Sequence, residues 1–355
     1  MIDVPTDKDY TAQINEIIEN FFTRSIADAS LIDTSYAFLW NSLYELMKSG
    51  GKRLRPKITM LAYEAFGGQD VKKALPVAVA HEFLHFSLLI HDDIIDRDYT
   101  RYGVANIAGR YKIAYSKHLA SPAELTHFSH SAAILAGDLM LSTAHHMVAT
   151  SEFDRERKLI ADKYISRGIF EVAGGELLDT ELSFMPYDPG DAIKVANYKT
   201  SSYSFVAPLL TGAALAKATD DQLQNLREFA VALGIAYQLA DDLLGIFGDE
   251  SQTGKSTVSD ILEGKRTYLV EKALGVFSSE EKTSFMLAFG NVNATALEIE
   301  TAKQLLRSSG AETKTQQKIA ECNNKAYEYL SKLSLKEPYN QIFLDLISKV
   351  SERSR

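Results

Sequence analysis

Ser87-Leu88-Leu89-Ile90-His91-Asp92-Asp93-Ile94-Ile95-Asp96 sets three carboxylates at the end of an apolar run with helical spacing. About 150 residues further on, Gln238-Leu239-Ala240-Asp241-Asp242-Leu243-Leu244-Gly245 repeats the pair inside the apolar stretch Leu233 to Phe247. Adjacent carboxylates repel, and burying them without a partner is costly. Two such pairs on otherwise apolar helices point to divalent cations held between them. Oxygen-only ligands favour a hard ion such as Mg2+, which keeps several waters and shares its shell with substrate phosphates. The chain reads as an enzyme that handles a diphosphate.

Working outward from these clusters, helical periodicity is nearly continuous. It predicts helices over 8–24, 35–49, 54–66, 70–97, 122–150, 153–183, 189–198, 200–217, 219–248, 259–276, 279–290, 294–309, 311–333 and 338–351. The breaks carry turn chemistry at Gly50-Gly51, Gly67-Gly68, Ser121-Pro122 and Pro186 to Gly190. Strand signals are almost absent. The longest helices are apolar on more than one face, as in the centre of a large bundle. No linker or fixed-period repeat divides the chain, so the expectation is one all-α domain over 1–355.

Composition narrows the function classes. Of 355 residues, 46% are hydrophobic and 24% charged, an ordinary globular balance. A net charge of -9 makes nucleic acid an unsuitable partner. The single cysteine, Cys322, excludes an internal disulfide framework and fits a reducing, cytoplasmic compartment. Met1 to Tyr10 has no apolar core and does not read as a signal peptide. No uninterrupted apolar run of 18 residues occurs, so no transmembrane segment is expected.

Within the first cluster, Asp92 and Asp96 are four apart and share a helix face, while Asp93 is offset by about 100°. In the second, Asp241 and Asp242 are followed by Gly245 where another carboxylate could stand, and Asp249 lies two turns on. The cations are equally concentrated. Gly50-Gly51-Lys52-Arg53-Leu54-Arg55-Pro56 is a turn entering a helix with three positive charges in four residues. Helix-start amides and arginine forks make a phosphate-binding geometry. Lys199-Thr200, Lys255, Lys265-Arg266 and Arg101 add positive charge. Thr253-Gly254-Lys255-Ser256 is not a P-loop, because no strand precedes it and the upstream glycine is missing. His81 and His85 lie on the Asp92 face, with no third nitrogen or sulfur ligand to make a zinc site.

These residues resemble the trans-isoprenyl diphosphate synthases, or polyprenyl synthetase family, and most of all its bacterial geranylgeranyl diphosphate synthases. The resemblance covers nearly the whole chain. Gly51 to Pro56 is similar to the family's isopentenyl diphosphate loop, and Asp92-Asp93-Ile94-Ile95-Asp96 to its first aspartate-rich motif. Tyr198-Lys199-Thr200 is similar to its central lysine motif, and Gly234 to Asp242 to the start of its second aspartate-rich motif. Gly264-Lys265-Arg266-Thr267 and Leu305 to Ala311 are similar to its downstream blocks.

The resemblance implies an isoprenoid-synthase fold around a central apolar cavity, a homodimer, and head-to-tail condensation of isopentenyl diphosphate with an allylic diphosphate. By motif position it implies that Asp92, Asp96 and Asp241 ligate about three Mg2+ ions, supported by Asp93 and Asp242. Arg101, Lys199 and Lys255 would contact the allylic diphosphate. Lys52, Arg55, His85 and Lys265 would serve substrate binding, and Thr200 and Gln238 would sit near the reacting carbons.

Two positions depart from the family pattern. Tyr102 replaces a second arginine expected to contact isopentenyl diphosphate, which predicts a weaker site for it. Gly245 replaces a third aspartate. Beneath the first motif, Leu84 and Leu88 share the Asp92 face and can line a product tunnel. Ser87, five before Asp92, stands where the family often places a bulky aromatic, so geranylgeranyl diphosphate or a somewhat longer product is expected, with a medium-chain polyprenyl or a farnesyl diphosphate synthase as the alternative. Two competing readings remain: a class I terpene cyclase, whose second metal motif this chain lacks, and a non-catalytic subunit of a heteromeric synthase, which commonly loses the aspartates kept here.

Overall fold

The run that ends at Asp92 forms one helix, α4 (Val71–Ile95), and the run around Asp241 forms another, α10 (Asp220–Phe247). Each starts on a side-chain cap. Asp70 accepts from the Lys73 amide, and Thr219 and Gln222 form a reciprocal capping box. Such caps stabilise a helix start by about 1 kcal/mol. The computed structural model describes residues 9–182, 184, 191–248 and 258–352. The readings placed on Asp249, Lys255, the Gly-Lys-Ser segment and most of Met1 to Tyr10 lie outside the described residues.

The chain divides into two compact units, one running to Ile165 with Thr211–Lys217, the other comprising Ser166–Leu210 and residues from Ala218 onward. In the first unit, α4 packs most extensively against α6 (Pro122–Ala149), and further against α3 (Leu54–Ala65) and α1 (Thr11–Ile32). α2 (Thr34–Ser49) packs on α1 and on α5 (Ile107–Tyr115). A close approach fixes α4 on α6: a Cβ on Gly137 would lie 2.1 Å from His91 Nε2. Val77 to Ala80, Phe83 and Leu84 are fully buried. α4 is therefore a core helix.

In the second unit, α10 lies against α15 (Ala311–Leu333) and a π-helical segment, π1 (Ala196–Val206). The segment runs between α8 (Asp191–Val195) and α9 (Ala207–Leu215). Two glycines let helices approach π1 closely. A Cβ on Gly175, in α7 (Arg155–Leu182), would lie 2.2 Å from the Lys199 nitrogen, and one on Gly234 of α10 would lie 2.6 Å from Ser201 Cα. Both α4 and α10 are long and apolar enough to cross a membrane by length and composition alone. Their apolar windows are mostly buried within the protein, which explains the composition without a membrane.

The all-α expectation holds, with local corrections. The expected helix 259–276 is two short ones, α11 (Ser259–Leu262) and α12 (Tyr268–Leu274). Gly264, at φ +71°, ends the first, and the Thr267 side chain caps the second. The expected break at Lys199 is the π-helical segment. Helix α5 was missed, because nine residues interrupted by Gly109 give little periodicity. So was the two-stranded hairpin Thr100–Arg101 / Val104–Ala105 that follows the first cluster.

Candidate active site

Helix α4 ends at the first cluster. Asp92 and Asp93 occupy its last turn and Asp96 caps it in the open. The 100° offset between neighbours separates their environments. The Asp92 side chain keeps 26% of its surface exposed, whereas that of Asp93 keeps 3%. Arg101, on the hairpin, reaches back to both. Its guanidinium lies 2.6 Å from Asp93 Oδ1 and 3.6 Å from Asp92 Oδ2, and its Nε donates to Asp93 at 2.8 Å. Burial raises the Asp93 carboxyl to about 6, and the Arg101 contact limits that rise. Asp93 is thus held by a forked cation.

The cationic turn belongs to the same unit. Arg53 is spent on structure. It donates to the carbonyls of Met47 and Gly50 at 2.9 and 3.0 Å and to Asn15 at 3.1 Å, and it pairs with buried Glu82 at 3.1 Å. Lys52 is exposed at the turn, and Arg55 is half-buried one residue into α3. His85 on α4 is held well below the ordinary histidine value, first by burial and then by the charges of Arg55, Arg101 and Arg53. A neutral imidazole therefore stands among the arginines. His81 is a core group: burial and Arg55 lower it to about 3, and its Nε2 meets Thr211 Oγ1 at 3.0 Å.

Beneath the cluster, Leu84 and Ser87 are fully buried and Leu88 is half-buried. The Ser87 hydroxyl has no hydrogen-bond partner among the described residues. A buried orphan hydroxyl costs about 1–3 kcal/mol.

The second cluster is organised differently. Asp241 is half-buried, while Asp242 is 8% exposed. Thr200 donates to the Gln238 carbonyl, and the Gln238 amide donates to Asp242 Oδ1 at 2.7 Å. Burial lifts the Asp242 carboxyl well above its usual range despite that bond, and Asp260, Asp241 and Asp179 push it further. Lys199 is clamped by Glu176 at 2.9 Å and Asp179 at 2.6 Å. Lys265 lies 3.4 Å from Asp260 and 2.9 Å from Glu263.

Three of these acids escaped sequence reading. Glu176 and Asp179 reach Lys199 because Gly175 brings α7 onto π1. Their signal was two acids three apart after a Gly-Gly pair. Asp260 fills the place left at Gly245: a Cβ on Gly245 would lie 2.4 Å from Asp260 Oδ2. A carboxylate thus stands beside Gly245 although the motif lacks its third aspartate.

The surplus of oxygen donors fits a hard dication. In each pair one aspartate stays accessible as a ligand while its neighbour is fixed behind it, an arrangement suited to Mg2+. Among the described residues, no three histidine, cysteine or acidic groups already converge on a single point.

The profile of the polyprenyl synthetase family matches residues 37–306, and the chain belongs to that family. Membership makes it a prenyltransferase of the isoprenyl diphosphate synthase type with the all-α isoprenoid-synthase fold. A geranylgeranyl diphosphate synthase of Sulfolobus acidocaldarius is 30% identical over 344 residues, covering 95% of this chain and 93% of that one. A geranylfarnesyl diphosphate synthase of Aeropyrum pernix is 34% identical over 230 residues, covering 63% of this chain and 67% of that one. The crystal structure of a Corynebacterium glutamicum geranylgeranyl pyrophosphate synthase, complexed with isoprenyl diphosphate and magnesium, superposes with a TM-score of 0.88. It is 29% identical and covers 99% of this chain and 100% of that one.

Proposed function

We propose that this chain is a Mg2+-dependent synthase that condenses isopentenyl diphosphate head-to-tail with dimethylallyl, geranyl and farnesyl diphosphates, with geranylgeranyl diphosphate as its product. The observation that carries the reading is the division of labour within each aspartate pair. Asp92 and Asp241 stay accessible, while Asp93 and Asp242 are buried and held by Arg101 and Gln238.

Asp92, Asp96 and Asp241 would hold about three Mg2+ ions, the positive charge on which the leaving diphosphate departs. Arg101, Lys199 and Lys255 bind that diphosphate and stabilise the charge that builds on it. The acids that clamp Lys199 keep it aimed until the anion arrives. Lys52, Arg55 and neutral His85 hold isopentenyl diphosphate, with Lys265 in a supporting role. Thr200 and Gln238, already joined, face the reacting carbons. The apolar surroundings keep the allylic carbocation from water. The departing diphosphate accepts the last proton, so no dedicated base is required. On this reading the chain is one catalytic domain over 1–355, in the cytoplasm.

A homodimer is part of the reading. Helix α7 exposes Leu159, Phe170 and Leu177 by 61%, 70% and 68%. Spacings of eleven and seven residues set them on one helix face, an apolar stripe suited to a second copy.

Purified protein with Mg2+, isopentenyl diphosphate and each allylic primer should yield a C20 product by chromatography and none in the presence of a chelator. Absence of turnover, or an end at farnesyl diphosphate, would overturn the reading. A C25 end product would place the chain with the geranylfarnesyl type instead. Ser87→Phe should shorten the product by about one prenyl unit, since the ring would fill the space beneath the first motif. An unchanged distribution would remove Ser87 from length control.

A further inference from the structure

We propose that Tyr102 is a positioning residue for the cationic turn, acting through its ring on Gly50. The role of that turn in holding isopentenyl diphosphate rests on the reading above. The ring lies directly on the glycine: a Cβ on Gly50 would meet Tyr102 Cγ at 2.5 Å and Cδ2 at 2.7 Å. On its other side, the Gly50 carbonyl accepts from Arg53 Nη1 at 3.0 Å. Gly50 is thus clamped by a ring and a guanidinium. Gly51, at φ +98°, starts the bend that presents Lys52, and Arg53, at φ +54°, closes it.

The hairpin that carries Tyr102 is itself anchored. Arg101 is committed to Asp93 and Asp92. Asn106 donates to the Asp98 carbonyl at 2.8 Å and accepts from the Gly109 amide at 2.9 Å. With Arg101 paired to Val104, Tyr102 and Gly103 form a two-residue turn, at φ +55° and +76°. Such turns favour Asn, Asp or Gly at the first position, because a side chain is strained there. A tyrosine in that position has a use that outweighs the strain, and its contact with Gly50 supplies one. Consecutive residues of one hairpin therefore touch the first aspartate motif and the cationic turn. The family-pattern arginine is replaced by a ring that organises other cations, and the hydroxyl is not the working part.

The test compares Tyr102→Phe with Tyr102→Ala. Kinetics with each substrate is one readout, and amide hydrogen exchange of residues 50–55 in the unliganded protein is the other. Tyr102→Ala should raise KM for isopentenyl diphosphate about tenfold, leave the allylic KM unchanged, and speed exchange across the turn. Tyr102→Phe should restore both values to within about twofold of wild type. A Phe variant as impaired as the Ala variant, or an Ala variant with unaltered exchange, would overturn the proposal. If wild type consumes no isopentenyl diphosphate, the functional reading fails, while the exchange comparison still decides whether the ring holds the turn.

Discussion

The two aspartate pairs share a sequence pattern and a helical setting, yet their buried members are stabilised in opposite ways. Asp93 turns inward and meets the Arg101 guanidinium. Asp242 turns inward and meets the Gln238 amide, with three further carboxylates pushing against its charge. In the first pair the buried member already has a cation of its own unit. In the second, the buried member has a neutral amide and further carboxylates about it, while Lys199 and Lys265 pair with other acids among the described residues. A repeated motif therefore need not mean a repeated electrostatic state.

Removing an accessible member of either pair should have the largest effect. Asp92→Ala and Asp241→Ala should each lower turnover by about 10³ or more at saturating Mg2+, because each removes charge stabilisation from the leaving group. Near wild-type turnover in one variant alone would show that only the other pair serves the metals.

Breaking the two buried supports should separate them by stability. Arg101→Ala removes the charge-assisted bonds that hold Asp93 and should cost about 2–3 kcal/mol in urea unfolding at pH 7 without Mg2+, with Asp93 taking up a proton. Gln238→Leu should cost only about 1–2 kcal/mol, since Asp242 can take up a proton in place of the lost bond. Equal losses would mean that both aspartates are held in the same charge state.

The pH dependence should sharpen the contrast further. Both buried carboxyls titrate above their unfolded value near 3.8. Each therefore contributes stability at low pH that is lost as pH rises through its folded-state value. For Asp93 the loss runs from about 4 to about 6 and then stops. For Asp242 the loss runs in the same direction, upward from about 4, with burial as its first cause. Asp242→Asn should flatten the upper part of the metal-free stability curve and raise Tm near neutral pH by about 2 °C. An unchanged curve would mean that Asp242 is already relieved by a cation.

Much of this architecture is legible in the amino-acid sequence. Helix spacing alone sets Asp92 and Asp96 on one face and offsets Asp93, because 3.6 residues per turn is a covalent and hydrogen-bonded constant. Apolar runs flanking charged pairs mark α4 and α10, and the Gly-Gly turn marks the cationic loop. The hairpin escapes because its two-residue turn carries Tyr102 where a turn signal would carry Asn or Gly. The π-helical form of Ala196–Val206 escapes because the change from 3.6 to wider turns leaves no separate periodic trace, and the approaches of α7 and α10 at Gly175 and Gly234 are tertiary.

By itself, the sequence determined the all-α class, the paired carboxylates, the cation-rich turn and the family, all of which depend on residue type and spacing along the chain. Only the tertiary structure decided that Asp260 stands beside Gly245, that Glu176 and Asp179 clamp Lys199, that Arg53 is structural while Arg101 is electrostatic, and that Tyr102 rests on Gly50. Each of these meetings joins residues from different elements. Which side chains touch across elements is set by close packing and by the small residues that permit it, and local spacing carries no record of either.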